Sequence, residues 1–325
     1  MWALFDKFTL YCAMNQIARK EISGWFQELQ NTICRGLEQA DGKGRFKQDE
    51  WDRPGGGGGK TRTMSEGKVI EKGGVNFSEV YGETPQKILQ ALELDPSDFY
   101  ATGISIVMHP RSPMVPIIHM NVRYFEMTPA EDRTGSRPIW WFGGGIDLTP
   151  HYIDTGDAQF FHQRLKQVCD RHHPSYYPEF KKWADNYFYL KHREETRGVG
   201  GIFFDRLSDQ NGFSREQRWE FVKEVAQALL PAYRHLMKKN KDLPYGETEK
   251  QWQMVRRGRY VEFNLVWDLG TKFGLDTGGR TESILMSLPP QASWHYDYQP
   301  PAGTAEHRTQ IMLEKDIDWI NGAGT

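Results

Sequence analysis

Cysteine is scarce in this chain of 325 residues: Cys12, Cys34 and Cys169 stand far apart, without a CxxC pair anywhere. That scarcity argues against a disulfide framework, a thiolate zinc site and a cysteine-ligated iron–sulfur cluster, and it fits a reducing compartment. Net charge is equally slight. Lys and Arg number 41 against 43 Asp and Glu, giving −2, so the basic excess of a general nucleic-acid binder is missing. No uninterrupted apolar run approaches the ~18 residues of a membrane span. The N-terminus, MWALFDKFTLYCAMNQIARK, is interrupted by Asp6 and Lys7 and lacks both a basic n-region and an Arg/Ser-rich transit pattern. It reads as a frayed or extended terminus. The expected location is the cytoplasm, with a mitochondrial address as the alternative. Internal repeats and Pro- or Ser-rich interdomain linkers are absent too. What remains, 38% hydrophobic, 13% aromatic and 26% charged, is the composition of a folded protein with large apolar surfaces for a core.

The periodicities predict mixed elements. Ile22, Trp25, Phe26, Leu29, Ile33 and Leu37 recur at helical spacing across 21–38. Helical patterns return near 158–170, 179–193 and 215–239, and strand-like alternation marks 101–109, 117–125, 199–205, 259–268 and 284–288. Consecutive strands followed by helices predict an α+β domain around an antiparallel sheet. Residues 41–60 have the most flexible composition. Their PGGGGGKT imitates a Walker A loop, but Pro54 stands where the first glycine belongs, and neither a preceding strand nor a following helix is expected. A mobile loop or lid is the better reading.

Chemistry concentrates on two adjacent strands. Ile104, Ile106 and Met108 point one way, and Ser105, Val107 and His109 the other. Next, Ile118, Met120, Val122 and Tyr124 form an apolar face, alternating with His119, Asn121 and Arg123. A solvated sheet face is the bland explanation, but such faces favour Thr, Lys and Glu. Imidazole, amide and guanidinium groups at period two look like the floor of a polar pocket. A second stripe places Tyr260, Glu262, Asn264 and Asp268 on one strand face, with Arg259, Val261, Phe263, Leu265 and Trp267 opposite. Asp268 is a candidate acceptor for a polarised N–H, or else a turn cap. Arg123, Arg256, Arg257, Arg259 and Arg280 are candidate carboxylate clamps, and Gly278 and Gly279 allow an anion close to the backbone. His109, His119, His162 and His192 make a possible four-nitrogen metal set, though no HExxH or facial-triad spacing supports it.

Longer motifs carry a resemblance. GGVNFSEVYG (73–82), ATGIS…HMNVRYFE (101–126), WWFGGGIDLTP (140–150), FKKWADNYFYLKHREETRGVGGIFFD (180–205) and RRGRYVEFNLVWDLGTKFGLDTGGRTESILMSLPP (256–290) occur in order. Together they cover roughly residues 21 to 300 and closely resemble the oxygen-dependent coproporphyrinogen III oxidases. The resemblance implies a single α+β domain, 21–325, after an N-terminal extension, 1–20. It implies a large flat antiparallel sheet sandwiched between layers of helices, working as a homodimer. It also implies oxidative decarboxylation of two propionates of coproporphyrinogen III to vinyl groups, giving protoporphyrinogen IX, with O2 as oxidant and no organic cofactor. The unrelated oxygen-independent enzymes need clustered cysteines, which this sequence lacks.

Residue by residue, the resemblance makes His119 the acid/base histidine and places Asp147 and Asp268 near the macrocycle. Ser105, the segment Asn121, Val122, Arg123, and Gly278, Gly279 and Arg280 match substrate-contacting positions. His109, His119, His162 and His192 match positions proposed to hold a divalent metal such as Mn in some members. One departure stands out: Leu269 follows Asp268 where some members carry Arg. Two other classes compete with the oxidase, a metal-dependent hydrolase and a non-catalytic tetrapyrrole carrier.

Overall fold

Apolar residues at every second position fix the centre of the structure. The computed structural model describes residues 2–84, 89, 97–129, 138–276 and 278–322, with backbone alone at 2–18 and 129. The side chain of Cys12 therefore lies outside the described residues. Helix α1, Trp2–Asp41, leads into strands β1 (Lys47–Asp52), β2 (Gly57–Ser65), β3 (Ile70–Glu83), β4 (Ser97–Pro110), β5 (Ile117–Pro129) and β6 (Ile139–Thr149). Helices α2 (Thr155–His172) and α3 (Tyr176–Tyr187) follow, then the short pair β7 (Tyr189–Leu190) and β8 (Glu195–Thr196), and β9 (Gly200–Leu207). After these come α4 (Arg215–Asn240), α5 (Glu247–Glu262), a π-helical turn (Phe263–Trp267), α6 (Leu269–Asp276), α7 (Thr281–Leu285) and α8 (Ala305–Ile311).

Seven strands pair antiparallel in the order β1-β2-β3-β4-β5-β6-β9. Their first face carries Val75, Phe77, Ile104, Ile106, Ile118, Met120, Val122, Tyr124, Ile146 and Phe204, all buried in the main core. Against it pack Phe26, Leu29 and Ile33 of α1, Phe161 and Leu165 of α2, and Phe221, Val225 and Leu229 of α4. Helix α4 starts cleanly because Ser214 and Gln217 form a reciprocal capping box. Helix α3 lines the edge strand β9, with Phe180 meeting Phe204 on the core side and Tyr187 stacking on Phe203 on the other. The α+β expectation therefore holds.

Four local expectations are overturned. The glycine-rich run is not one long loop, because Gly57–Gly59 sit inside β2, where all three pair with β3 and Gly58 and Gly59 also pair with β1. Glycine is required there by close approach. A Cβ on Gly59 would lie 2.4 Å from the Phe77 carbonyl oxygen and 2.5 Å from the Trp51 ring. The alternation at 259–268 is helix. Trp252, Val255, Arg256, Arg259, Tyr260 and Phe263 are all buried at three- and four-residue spacing, a longer period that overrides the local β-propensity. Residues 281–285 are likewise helical, so no strand forms at 284–288. At the other end, helical backbone runs from Trp2 in place of the expected frayed terminus.

One buried carboxylate closes the core. Asp41, the last residue of α1, accepts backbone hydrogen bonds from Gly44 (2.6 Å), Lys68 (2.9 Å), Val69 (2.8 Å) and Ile70 (2.8 Å), tying the helix to the β2–β3 connection. Burial disfavours its charge, but those N–H donors outweigh it and hold the carboxyl below its ordinary value. Hydrogen bonds to a charged group contribute about 1.5–3 kcal/mol, so Asp41→Asn should cost roughly 2–4 kcal/mol at neutral pH. A depressed folded pKa stabilises above the unfolded value of ~3.9 and is lost as pH falls through the folded value. Urea titrations should therefore show the gap between wild type and Asp41→Asn narrowing below pH ~4.

Candidate active site

With one sheet face committed to the core, the alternate residues face the other way. Register aligns Asn76 with Ser105, Ser105 with Asn121 and Asn121 with Gly145, a polar row across β3 to β6. One row along, Val107 faces His119 and His119 faces Asp147; on the other side Gly103 faces Arg123 and Arg123 faces Gly143. Ser105, His119, Asn121 and Arg123 are half-buried, whereas Asp147 is buried. This face of the sheet is therefore polar and partly open, as the alternation predicted. Val122 differs from its neighbours, because its side chain lies in the core and its backbone alone belongs to the row.

His119 is held from behind. Its Nδ1 lies 2.9 Å from Asp147 Oδ1, and Arg197 Nη2 donates to the same oxygen at 2.7 Å. Burial by itself would raise the Asp147 carboxyl, but Arg197 and the His119 hydrogen bond outweigh it and hold the group below the usual carboxylate range. An ionised Asp147 makes Nδ1 the donor, which turns Nε2 of His119 toward the open side of the face. Arg123 is likewise fixed, donating from Nη1 to Asn121 Oδ1 at 2.9 Å and from Nη2 to Asp205 Oδ1 at 2.8 Å. Its neighbour must be glycine: a Cβ on Gly143 would stand 2.3 Å from Asp205 Oδ1 and 3.0 Å from the Arg123 guanidinium.

Asp268 arrives from the opposite layer. The π-helical turn ends with Asp268 N–H donating to Phe263 O at 2.9 Å, and such turns frequently occur at functional sites. Tyr187 donates its hydroxyl to Asp268 Oδ1 (2.8 Å), while Asp268 Oδ2 accepts from Thr271 N–H (2.7 Å) at the start of α6. Tyr187 stacks on Phe203, whose strand register places it beside Gly145 in the polar row. Asp268 thus reaches the same face through Tyr187, and it is a helix cap as well.

Other expected residues go elsewhere. Arg280 pairs with Asp49 on β1 and lines a cleft of about 720 Å³ with Lys72, Arg111 and Glu282. Ser283 of α7 bonds Thr61 on β2 at 2.8 Å, and Thr61, which lines the same cleft, donates to Asn76 of the polar row at 2.7 Å. Gly278 has φ +71°, the left-handed turn that glycine tolerates, leading into Arg280. Arg256, Arg257 and Arg259 are committed to Glu195, Glu71 and Glu262, which removes them as carboxylate clamps.

The four histidines do not assemble. His109 Nε2 bonds the Ser287 carbonyl at 2.8 Å, and burial pushes its pKa down to about 3. His162 lies among the core-side helices, both ring nitrogens engaged by Tyr177 and the Val199 carbonyl. His192 pairs with Glu262 and accepts from Trp267. Among the described residues no group of three or more His, Cys, Asp or Glu has metal-binding geometry. The proposed donor set therefore does not fit a shared ion.

Sequence reasoning missed Arg197, Asp205, Tyr187 and Asn76. The last was discoverable, since VNFS alternates as a strand beside the others. Arg197 gave no signal, because its meaning depends on a carboxylate and rings that only the fold brings near.

A family model described as Coproporphyrinogen III oxidase matches residues 21–319. The chain is 49% identical over 309 residues to oxygen-dependent coproporphyrinogen-III oxidase, chloroplastic, of Glycine max, covering 93% of this chain and 80% of that protein. It is 48% identical over 298 residues to coproporphyrinogen-III oxidase 1, chloroplastic, of Arabidopsis thaliana, covering 90% and 76%. Matched over nearly its whole length, the chain belongs to the coproporphyrinogen III oxidase family.

Proposed function

We propose that the protein converts two propionate groups of coproporphyrinogen III to vinyl groups with O2 as oxidant, giving protoporphyrinogen IX, in heme biosynthesis. The observation that carries this reading is the polar row itself: an imidazole, an amide and a guanidinium held at fixed register on a face kept bare by Gly143 and Gly145. Each step converts R–CH2–CH2–COO⁻ to R–CH=CH2 and CO2. Its two electrons reduce O2 to hydrogen peroxide, which takes up the released proton and one more. The electron-rich macrocycle supplies those electrons, so the reading needs no flavin, heme or other organic cofactor and routes no step through a metal.

Arg123 grips a propionate with the N–H groups that Asn121 and Asp205 leave over, which selects the reacting side chain. Ser105 and Asn121 add hydrogen bonds along the same row. Nε2 of His119 moves the proton at the reacting propionate. Asp268 accepts from pyrrole N–H groups and stabilises positive charge that develops on the ring. Asp147 keeps His119 in place rather than meeting substrate. Leu269 has no hydrogen-bonding group, so the carboxylate contact made by Arg in some relatives of the family falls to Arg123, with Arg280 gripping a peripheral propionate.

The same reading makes the protein a homodimer. Its support is the exposed apolar run Leu265, Val266, Leu269, Phe273 and Leu275, which suits burial against a second copy. No helix among the described residues is long and apolar enough to cross a membrane. The buried thiols of Cys34 and Cys169 fit a reducing compartment, and the chloroplastic names of the relatives set an organelle against the cytoplasmic expectation.

The deciding experiment incubates metal-stripped protein with coproporphyrinogen III, with and without O2, and follows CO2 and vinyl product. Turnover that requires O2 is expected. Oxygen-independent turnover rejects the oxidase, and tight binding without CO2 makes the protein a carrier. His119→Gln should lower kcat about 10²- to 10⁴-fold while KM stays near wild type. Arg123→Gln should do the reverse, raising KM about 10- to 100-fold through the lost charge-assisted contact. In light scattering the protein should show twice its 37.8 kDa chain mass, and Leu265→Asp should shift it toward the monomer.

A further inference from the structure

Arg197 lies between β8 and β9, where no part of the proposed chemistry has yet used it. Its side chain is buried, and its one ion-pair partner among the described residues is Asp147. Three rings surround the guanidinium: Phe188 at 4.3 Å, Phe263 at 4.6 Å and Tyr260 at 4.9 Å from its central carbon. Its Nε finds no hydrogen-bond partner among the described residues. A buried cation is therefore held by ring faces and a single carboxylate. Such an arrangement is costly unless the charge itself is required.

We propose that Arg197 is a positioning residue for the decarboxylation, fixing through Asp147 which nitrogen of His119 faces the substrate. The proposal rests on the functional reading above for its chemistry, but its geometry stands without it. Arg197 and His119 converge on the same oxygen of Asp147. Without the guanidinium, a carboxyl as buried as Asp147 takes up a proton. A protonated Asp147 donates to Nδ1 of His119 instead of accepting from it, which moves the ring hydrogen to Nε2. The lone pair then faces away from the substrate, and the proton transfer assigned to His119 is lost. Phe188, Phe263 and Tyr260 come from α3's end, the π-helical turn and α5, so the elements that present Asp268 also fix Arg197. The two ends of the site are thereby set by one cluster.

Three measurements test this. First, the tautomer of His119 in ligand-free protein is read by ¹⁵N NMR at a pH where the ring is neutral, with His119→Gln supplying the assignment. Hydrogen on Nδ1 in wild type and on Nε2 in Arg197→Ala is expected; an unchanged tautomer overturns the proposal whether or not the enzyme turns over. Second, Arg197→Ala should lower kcat about 100-fold with KM within about two-fold, and the same change in an Asp147→Asn background should add little. Independent, multiplying effects overturn it. Third, added guanidinium should restore turnover to Arg197→Ala, whereas urea, of the same shape without the charge, should not. Equal rescue by both would reduce Arg197 to a space-filling role. If Arg197→Ala does not fold, the neutral Arg197→Gln decides: kcat down about 100-fold at near-unchanged KM supports positioning, and wild-type kcat refutes it.

Discussion

Strand periodicity is the constraint on which the site depends. Once Ile118, Met120, Val122 and Tyr124 are committed to the core, His119, Asn121 and Arg123 have no freedom to face anywhere but the opposite layer. A slip of one residue would bury an arginine among phenylalanines and expose four large apolar side chains. Hydrophobic burial, at roughly 25 cal/mol per Å², therefore enforces the register of polar groups that contribute nothing to it. The chemistry is positioned by the half of the strand that takes no part in it.

That coupling also explains what the sequence could reveal. On β4 and β5 the polar face was legible because its complement is unbroken hydrophobic alternation, and two neighbouring strands agreed. The α5 segment was not. There Val261, Phe263, Leu265 and Trp267 mimic a strand over a short window, and the helical period becomes plain once Trp252 and Val255 join it. The histidine set failed for a different reason. Imidazole serves equally as ligand, donor and packing group, and His109 and His162 turn out to be buried, neutral and bonded to carbonyl oxygens. Residue type without position cannot separate those uses. Asp268 was expected on a strand, and the end of a π-helical turn carries it instead.

The change from strand to helix matters to mechanism. A strand would have presented Asp268 as one more alternating side chain on the sheet. Instead a π-helical turn ends in its backbone bond to Phe263, and its carboxylate both caps α6 and accepts from Tyr187. Asp268 is thus hinged between a rigid layer and a short helix whose outward side chains, Leu269 and Phe273, are exposed. Its position over the sheet face is determined by packing in the second layer rather than by sheet register, and the two layers can be tuned separately.

The two aspartates show how environment divides labour between identical groups. Asp147 is buried, faces no solvent and meets two cations or potential cations, so its charge is spent on holding His119. Asp268 is half-buried and accepts hydrogen bonds from a neutral phenol and an amide, leaving lone pairs directed at the site. Each decarboxylation consumes one proton overall, so a group must deliver it close to the substrate while another tolerates positive charge on the ring. A carboxylate already neutralised by arginine is poorly suited to the second task, and one that is partly solvated is poorly suited to fixing a tautomer. The burial of Asp147 and the partial exposure of Asp268 therefore fit the separate duties proposed for them, ordering His119 and stabilising the macrocycle.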